Sequence, residues 1–552
     1  MRVNPLTQTD FYKTGHIFQY PAGTTEVYSN FTPRSSRLAT MLPEQFDDKV
    51  VWFGLQAFIK SYLIDAWNEG FFKRPKADVL AQYKRRMDTS LGMDAVPVGH
   101  IAALHDLGYL PIDIKALPEG SRVNIRVPVL TVRNTHPSAY WLTNYLESVL
   151  SNSLFKPTTS ATTAFEYRKL LHSYAITTGA PLDFVLWQGH DFSYRGMSGL
   201  HDAASSGAGH LLSFCGTDTI SAIDYLEEFY LANADTELIG GSVPATEHSV
   251  MCMGGMDDEV QTIRRLISEV YPSGIVSIVS DTWDFFKVIT EHAQTLKAEI
   301  LGRTPNALGQ AKVVFRPDSG EPVNILCGHP FAVVADTSDA TLAALEGGVA
   351  VVQCDGQFYA VHANPHVEGV AYVLKNMSAA EVKGAVECLW DGFGGTTTTQ
   401  GYKVLHERVG LIYGDSITLV RAQAILERLR QKGFASCNVV FGVGSYSYQG
   451  VTRDTFGWAV KSTSGVVNGE RRELFKDPIT DNGTKRSAKG LLRVEKEGND
   501  FVLYDQQTPE QEAQGLLQSV FRDGKLLRDE SLSAVRARLW SQLPSPAHAE
   551  TA

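Results

Sequence analysis

Through the middle and later parts of the chain, short apolar runs recur. Each is closed by glycine, serine or a charged residue and followed by more helical spacing. Residues 211–214 run into Gly216-Thr217-Asp218-Thr219, and 275–279 into Ser280-Asp281. Residues 313–315 run into Arg316-Pro317-Asp318-Ser319-Gly320, 411–413 into Gly414-Asp415, and 439–441 into Gly442-Val443-Gly444-Ser445. Continuous apolar runs are strands buried on both faces, and their alternation with helices predicts a parallel α/β architecture. In a barrel of that kind the loops after the strands meet at one mouth. The pattern therefore gathers Asp218, Asp281, Arg316, Asp318, Asp415 and the 442–445 loop into one pocket.

The flanking segments read differently. Residues 27–31 predict a strand, 53–56 the opening of a helix, and 79–87 an amphipathic helix with a basic end. Val123, Ile125, Val127 and Val129 alternate with polar residues, which predicts one half-buried strand with Pro128 at a sheet edge. Leu142, Tyr145, Leu146 and Val149 recur at helical spacing and read as core packing. Two apolar runs, 349–352 and 358–361, bracket Asp355-Gly356, a hairpin signal. They mark 325–400 as an inserted subdomain, closed by a loose linker through the four threonines 396–399. Beyond 450 the style turns antiparallel, with a hairpin over 491–504. The expected division is 1–155 and 451–540 as the two parts of a mixed α/β domain, 156–450 as the barrel, and 541–552 as a disordered tail.

Composition narrows the function. The 552 residues are 43% hydrophobic and 20% charged, which fits a globular protein with a large core. A net charge of −11 argues against a general nucleic-acid binder. The six cysteines show no CxxC spacing, which fits a reducing compartment. Neither a signal peptide nor a membrane span is visible, so a cytoplasmic protein is expected.

Candidate chemistry begins at the strand ends. An arginine and a carboxylate after a buried strand are costly unless they meet each other or a ligand, so Arg316 and Asp318 are either a structural pair or part of a site. Phe192, within the 189–196 loop, is either a core plug or an aromatic plate for a flat heterocycle, with Arg195 reaching a phosphate. Arg34 follows the first strand and reads as solvated surface. His248 beside Glu247 is either a satisfied structural histidine or a catalyst. Barrel carboxylates also fit a metal-dependent aldolase or hydrolase, but a clustered histidine signature is lacking.

Seven short motifs then occur in one order: Asp10-Phe11-Tyr12-Lys13, residues 189–196, Gly216-Thr217-Asp218-Thr219, residues 243–249, Ser280-Asp281, Arg316-Pro317-Asp318-Ser319-Gly320 and Phe475-Lys476-Asp477-Pro478. Together they resemble the nicotinamide phosphoribosyltransferases from about residue 8 to about 530, the 325–400 segment excepted. The resemblance implies a type II phosphoribosyltransferase fold: a distorted α/β barrel with a mixed α/β domain built from both chain ends. It implies a homodimer with shared active sites, and the conversion of nicotinamide and 5-phosphoribosyl 1-pyrophosphate to nicotinamide mononucleotide and pyrophosphate. Mg2+ is expected through the substrate pyrophosphate, and ATP hydrolysis is expected to be coupled through a phosphohistidine. By the same resemblance Phe192 and a partner's Tyr12 sandwich the pyridine, and Asp218 accepts from the carboxamide. Arg195 and Arg316 hold ring and phosphate groups, Asp281 and Asp318 position ribose or pyrophosphate, and His248 takes the phosphoryl group. Ser277, Gly414, Asp415, Gly444 and Ser445 contact ribose and 5′-phosphate; Arg34, Arg453, Lys461 and Lys476 meet pyrophosphate or ATP. Gly410 stands where the family usually has an arginine, with Arg408 two positions back, which bears on the phosphate grip. A nicotinate enzyme and a catalytically silent ligand-binding homologue are the rival readings.

Overall fold

The computed structural model describes residues 3–335, 350–363, 372–475 and 488–543. The buried apolar runs do form a parallel sheet. Its six strands lie in the order Gly216–Thr217, Gly189–Asp191, Val439–Val443, Val409–Tyr413, Ala311–Arg316 and Gly274–Val279. Val276, Ile278, Val313, Phe315, Leu411, Val439 and Phe441 are essentially inaccessible to solvent, as strands covered on both faces require. The two edge strands are joined by the 241–246 segment. Gly241 bridges Gly216 on one side and Ala245 bridges Ser277 on the other, both parallel. The sheet is thus curled on itself, and a few bridging residues take the place of a full strand at the seam.

A second sheet has seven antiparallel strands drawn from both ends of the chain. Their order is Glu470–Glu473, Ala459–Val467, Thr24–Thr32, Leu130–Asn134, Ile112–Ala116, Gln518–Arg522 and Lys525–Leu526. Phe31 of the Thr24–Thr32 strand stacks on Trp458 with centroids 4.6 Å apart, and both are fully buried. The helix Glu147–Thr178 packs on Leu200–Leu211 and runs from this sheet to the barrel. Leu142, Tyr145 and Leu146 are buried and Val149 packs partly buried against them, so that stripe is core. Four strands, Ala332–Val333, Val351–Cys354, Gln357–Ala363 and Tyr372–Met377, form a separate small sheet. Among the described residues no helix is long and apolar enough to cross a membrane.

Three local expectations need correction. Leu211 ends a helix, and the strand is delayed to Gly216–Thr217; a short apolar run does not distinguish a buried helix end from a strand. The alternation over 123–129 is not one strand. Pairing stops at Asn124, and the chain turns through Arg126 at φ 73° before the Leu130–Asn134 strand. The threonine run is not loose: Gly395–Thr397 pairs with Lys403–Leu405, and Thr398 Oγ1 donates to Thr178 O at 2.8 Å.

Candidate active site

The parallel strands deliver their ends to one mouth. Phe192 follows the Gly189–Asp191 strand, Asp218 the Gly216–Thr217 strand and Asp281 the Gly274–Val279 strand. Arg316 ends Ala311–Arg316, Gly414 and Asp415 follow Val409–Tyr413, and Gly444 and Ser445 follow Val439–Val443. Below this mouth lies a cavity of about 560 Å3, lined by Phe192, Asp218, Ser277 and Arg316 among others. That size is typical of small-molecule sites.

Phe192 is only partly buried, so it is not a core plug. Its ring lies against backbone on one side. A Cβ on Gly442 would sit 2.4 Å from Phe192 Cδ2, and one on Gly414 would sit 3.0 Å away. Two glycines on neighbouring strands thus make room for the ring. Beside it, Asp218 Oδ1 lies 2.9 Å from His190 Nε2 and accepts from Ser242 Oγ at 2.6 Å. Burial pushes the Asp218 carboxyl up, but His190, Ser242 and Arg316 together outweigh it and hold the group below its ordinary value.

The second half of the mouth is a charged network. Asp281, buried at its carboxylate, accepts from the Asp318 amide at 2.8 Å and from Ser319 Oγ at 2.6 Å on one oxygen. Its other oxygen lies 3.2 Å from His248 Nε2. Asp281 therefore orients the Asp318 loop and His248 together. His248 opens the His248–Gly254 helix with its side chain half exposed. Arg316 donates to Thr246 O at 2.6 Å and faces Asp318 across 3.5 Å, an ion pair too long for a hydrogen bond. Burial and the nearby Asp281 and Asp415 charges raise the Asp318 carboxyl above its ordinary value, against the opposing pull of Arg316 and His248. Ser277 Oγ is buried and has no hydrogen-bond partner among the described residues.

Not every expected residue reaches this cavity. Arg195 is exposed on the Tyr194–Gly196 turn, whose Gly196 abuts Ser445, so it stands at the rim near the Gly444–Ser445 loop. Tyr12 is 61% exposed and stacks edge-on with His16, away from the lining residues. Arg34 donates to Gly457 O at 2.7 Å, Arg453 pairs with Asp454 at 2.7 Å, and Lys461 lies on the antiparallel Ala459–Val467 strand. Lys476 lies outside the described residues. Gly410 sits near the start of its strand, and with Lys312 and Arg408 it lines the cavity at the end away from Gly414 and Asp415. A Cβ there would meet Lys312 Cδ at 3.0 Å, so the glycine leaves room for a lysine stem. His190, on the Gly189–Asp191 strand within the 189–196 motif, and Ser242, one position before the 243–249 motif, were not singled out.

Known proteins place this arrangement. The model of the nicotinate phosphoribosyltransferase (NAPRTase) family matches residues 187–525, and that of the nicotinamide phosphoribosyltransferase N-terminal domain matches residues 4–78. A nicotinamide phosphoribosyltransferase of Acinetobacter baylyi is 60% identical over 99% of this chain and 98% of its own length. One from Xanthomonas campestris pv. campestris is 31% identical over 97% of each. Among solved structures, nicotinate-nucleotide pyrophosphorylase from Pyrococcus furiosus superposes with a TM-score of 0.50 at 13% identity, covering 98% of this chain and 95% of that one, which shows a shared fold. The chain belongs to the nicotinamide phosphoribosyltransferase family, and is a pentosyltransferase that uses 5-phosphoribosyl 1-pyrophosphate.

Proposed function

We propose that this enzyme joins nicotinamide to 5-phosphoribosyl 1-pyrophosphate, giving nicotinamide mononucleotide and pyrophosphate in NAD salvage. The observation that carries the choice of base is the ionised Asp218 carboxylate beside the Phe192 ring, within one cavity. It accepts a hydrogen bond from an amide and repels the carboxylate of nicotinic acid. The pyridine nitrogen is already a nucleophile, so the reaction needs no general base. The protein's work is to align that nitrogen with the anomeric carbon and to stabilise the charge that develops as pyrophosphate leaves. Phe192 fixes the ring plane. Arg316, Asp281 and Asp318 hold the ribose and pyrophosphate side, while the Gly444–Ser445 loop and Arg195 at the rim take the 5′-phosphate. Mg2+, held through the substrate pyrophosphate, would neutralise the leaving group.

His248, half exposed and oriented by Asp281, fits the role of phosphoryl acceptor in ATP coupling. Tyr12, Arg34, Arg453 and Lys461 would serve this mouth from a second copy of the chain, which makes a cytoplasmic homodimer the working assembly. The test is a product assay with phosphoribosyl pyrophosphate, Mg2+ and either nicotinamide or nicotinic acid, with and without ATP. Mononucleotide from nicotinamide, stimulated by ATP, is expected. Product mainly from nicotinic acid would overturn the role of Asp218, and no product from either base would leave a binding protein.

A further inference from the structure

Two donors at the mouth have no role in the reaction as described, yet they converge on one atom. His190 Nε2 lies 2.9 Å from Asp218 Oδ1, and Ser242 Oγ donates to the same oxygen at 2.6 Å. Asp218 Oδ2 receives no hydrogen bond among the described residues, and the side chain, 48% exposed, lines the cavity. The two oxygens of one carboxylate are thus treated differently: one is held by the protein and one is left for a ligand.

The holders come from different elements and meet side by side, Ser242 Oγ lying 3.5 Å from His190 Nε2. His190 is the buried middle residue of the Gly189–Asp191 strand, paired with Gly216 on one flank and Gly442 on the other. A Cβ on Gly216 would come within 2.7 Å of His190 Nδ1, so the ring sits flush against a strand that only glycine leaves open. Its centroid is 4.9 Å from that of Phe192. Ser242 is exposed and lies on the seam segment between Gly241 and Ala245, each of which bridges an edge strand. With two contacts converging on Oδ1 from two elements, the carboxylate cannot rotate without losing a charge-assisted hydrogen bond. A preorganised acceptor of this kind gains affinity for one N–H donor and costs a competing anion the most.

We infer that His190 and Ser242 are the positioning residues that set the choice between carboxamide and carboxylate substrates, by fixing Asp218 Oδ1 and presenting Oδ2 to the ligand N–H. This rests on the proposed role of Asp218 and deepens it. For Nε2 to donate, the neutral ring carries its proton there, leaving Nδ1 against the Gly216 backbone.

The test uses the full-length enzyme with His190→Leu, His190→Gln and Ser242→Ala, measuring kcat and KM for nicotinamide and for nicotinic acid separately. His190→Leu and Ser242→Ala are each expected to raise KM for nicotinamide about tenfold, with a smaller change in kcat, and to lower the amide-to-acid ratio of kcat/KM by about the same factor, as loss of a hydrogen bond to a charged group implies. His190→Gln keeps an N–H near the position of Nε2 and is expected to recover most of that ratio. Ser242 is on the surface, so its variant reports even if a change at buried His190 impairs folding. An unchanged ratio in Ser242→Ala, equal losses for both substrates, or identical behaviour of His190→Gln and His190→Leu would overturn the inference. If the wild type itself makes no mononucleotide from nicotinamide, the proposed function fails first, and this inference with it.

Discussion

Alanine at position 442 adds one methyl group in the place where Phe192 lies against its strand. The new Cβ would stand 2.4 Å from Phe192 Cδ2 and 2.6 Å from Gly414 Cα. Carbon atoms settle at about 3.5–4.0 Å, so both contacts are short by roughly 1 Å or more. The ring can swing away, but Gly414 Cα belongs to the backbone of the neighbouring strand and cannot. Overpacking of this kind costs about 1–3 kcal/mol. Moving the ring also forfeits its face for the pyridine, and aromatic contacts of that sort are worth about 0.5–1.5 kcal/mol, or roughly a 2- to 13-fold rise in KM. Gly442→Ala should therefore lower the urea midpoint and raise KM for nicotinamide together. The comparison is Gly444→Ala on the same segment, where an added Cβ meets nothing within 4 Å; its stability should stay within about 0.5 kcal/mol of wild type. If Gly442→Ala matched wild type in both midpoint and KM, Phe192 would not be the ring-bearing surface.

Three further outcomes are expected. Asp218→Asn should cut the preference for nicotinamide over nicotinic acid at least about tenfold, since the repelling charge is gone; competition kinetics with the two bases checks this. His248→Ala should lose ATP stimulation while keeping slow ATP-independent turnover, and retained ATPase activity would remove the histidine from that role. Asp318→Asn should lower turnover yet make the fold more stable at neutral pH. Its carboxyl is raised in the folded state, so its ionised form weakens the fold above that raised value; the difference between Asn and Asp should shrink as pH falls through it, which denaturation at several pH values would show.

The barrel strands were legible because burial on both faces leaves a continuous apolar run, and Pro317 and Gly414 punctuate the ends. That same logic placed Asp281, Arg316, Asp318 and Asp415 together before any coordinates. It failed at residues 211–214, where a buried helix end has the same composition as a buried strand, and at 123–129, where alternation continued through a turn. The cradle of Phe192 was not legible, because Gly442 and Gly414 meet only once two strands are in register. The roles of His190 and Ser242 were hidden for a similar reason: each acts through Asp218 from a different element, and neither is part of a motif with a spacing of its own.

The antiparallel sheet has a consequence in time. Ser29 and Ser462 share a hydrogen bond across 433 positions of sequence, and the whole Thr24–Thr32 strand waits for the Ala459–Val467 strand as its partner on that side. At about 5–20 residues per second on the ribosome, that wait lasts roughly 20 to 90 s. Throughout it the nascent chain carries a β-edge with open amide and carbonyl groups, the kind of surface that recruits other nascent chains. A message broken before codon 459 would therefore yield an adhesive fragment with an unpaired strand, and the yield of sound enzyme should depend on how well the cell shields that edge while the barrel is being made.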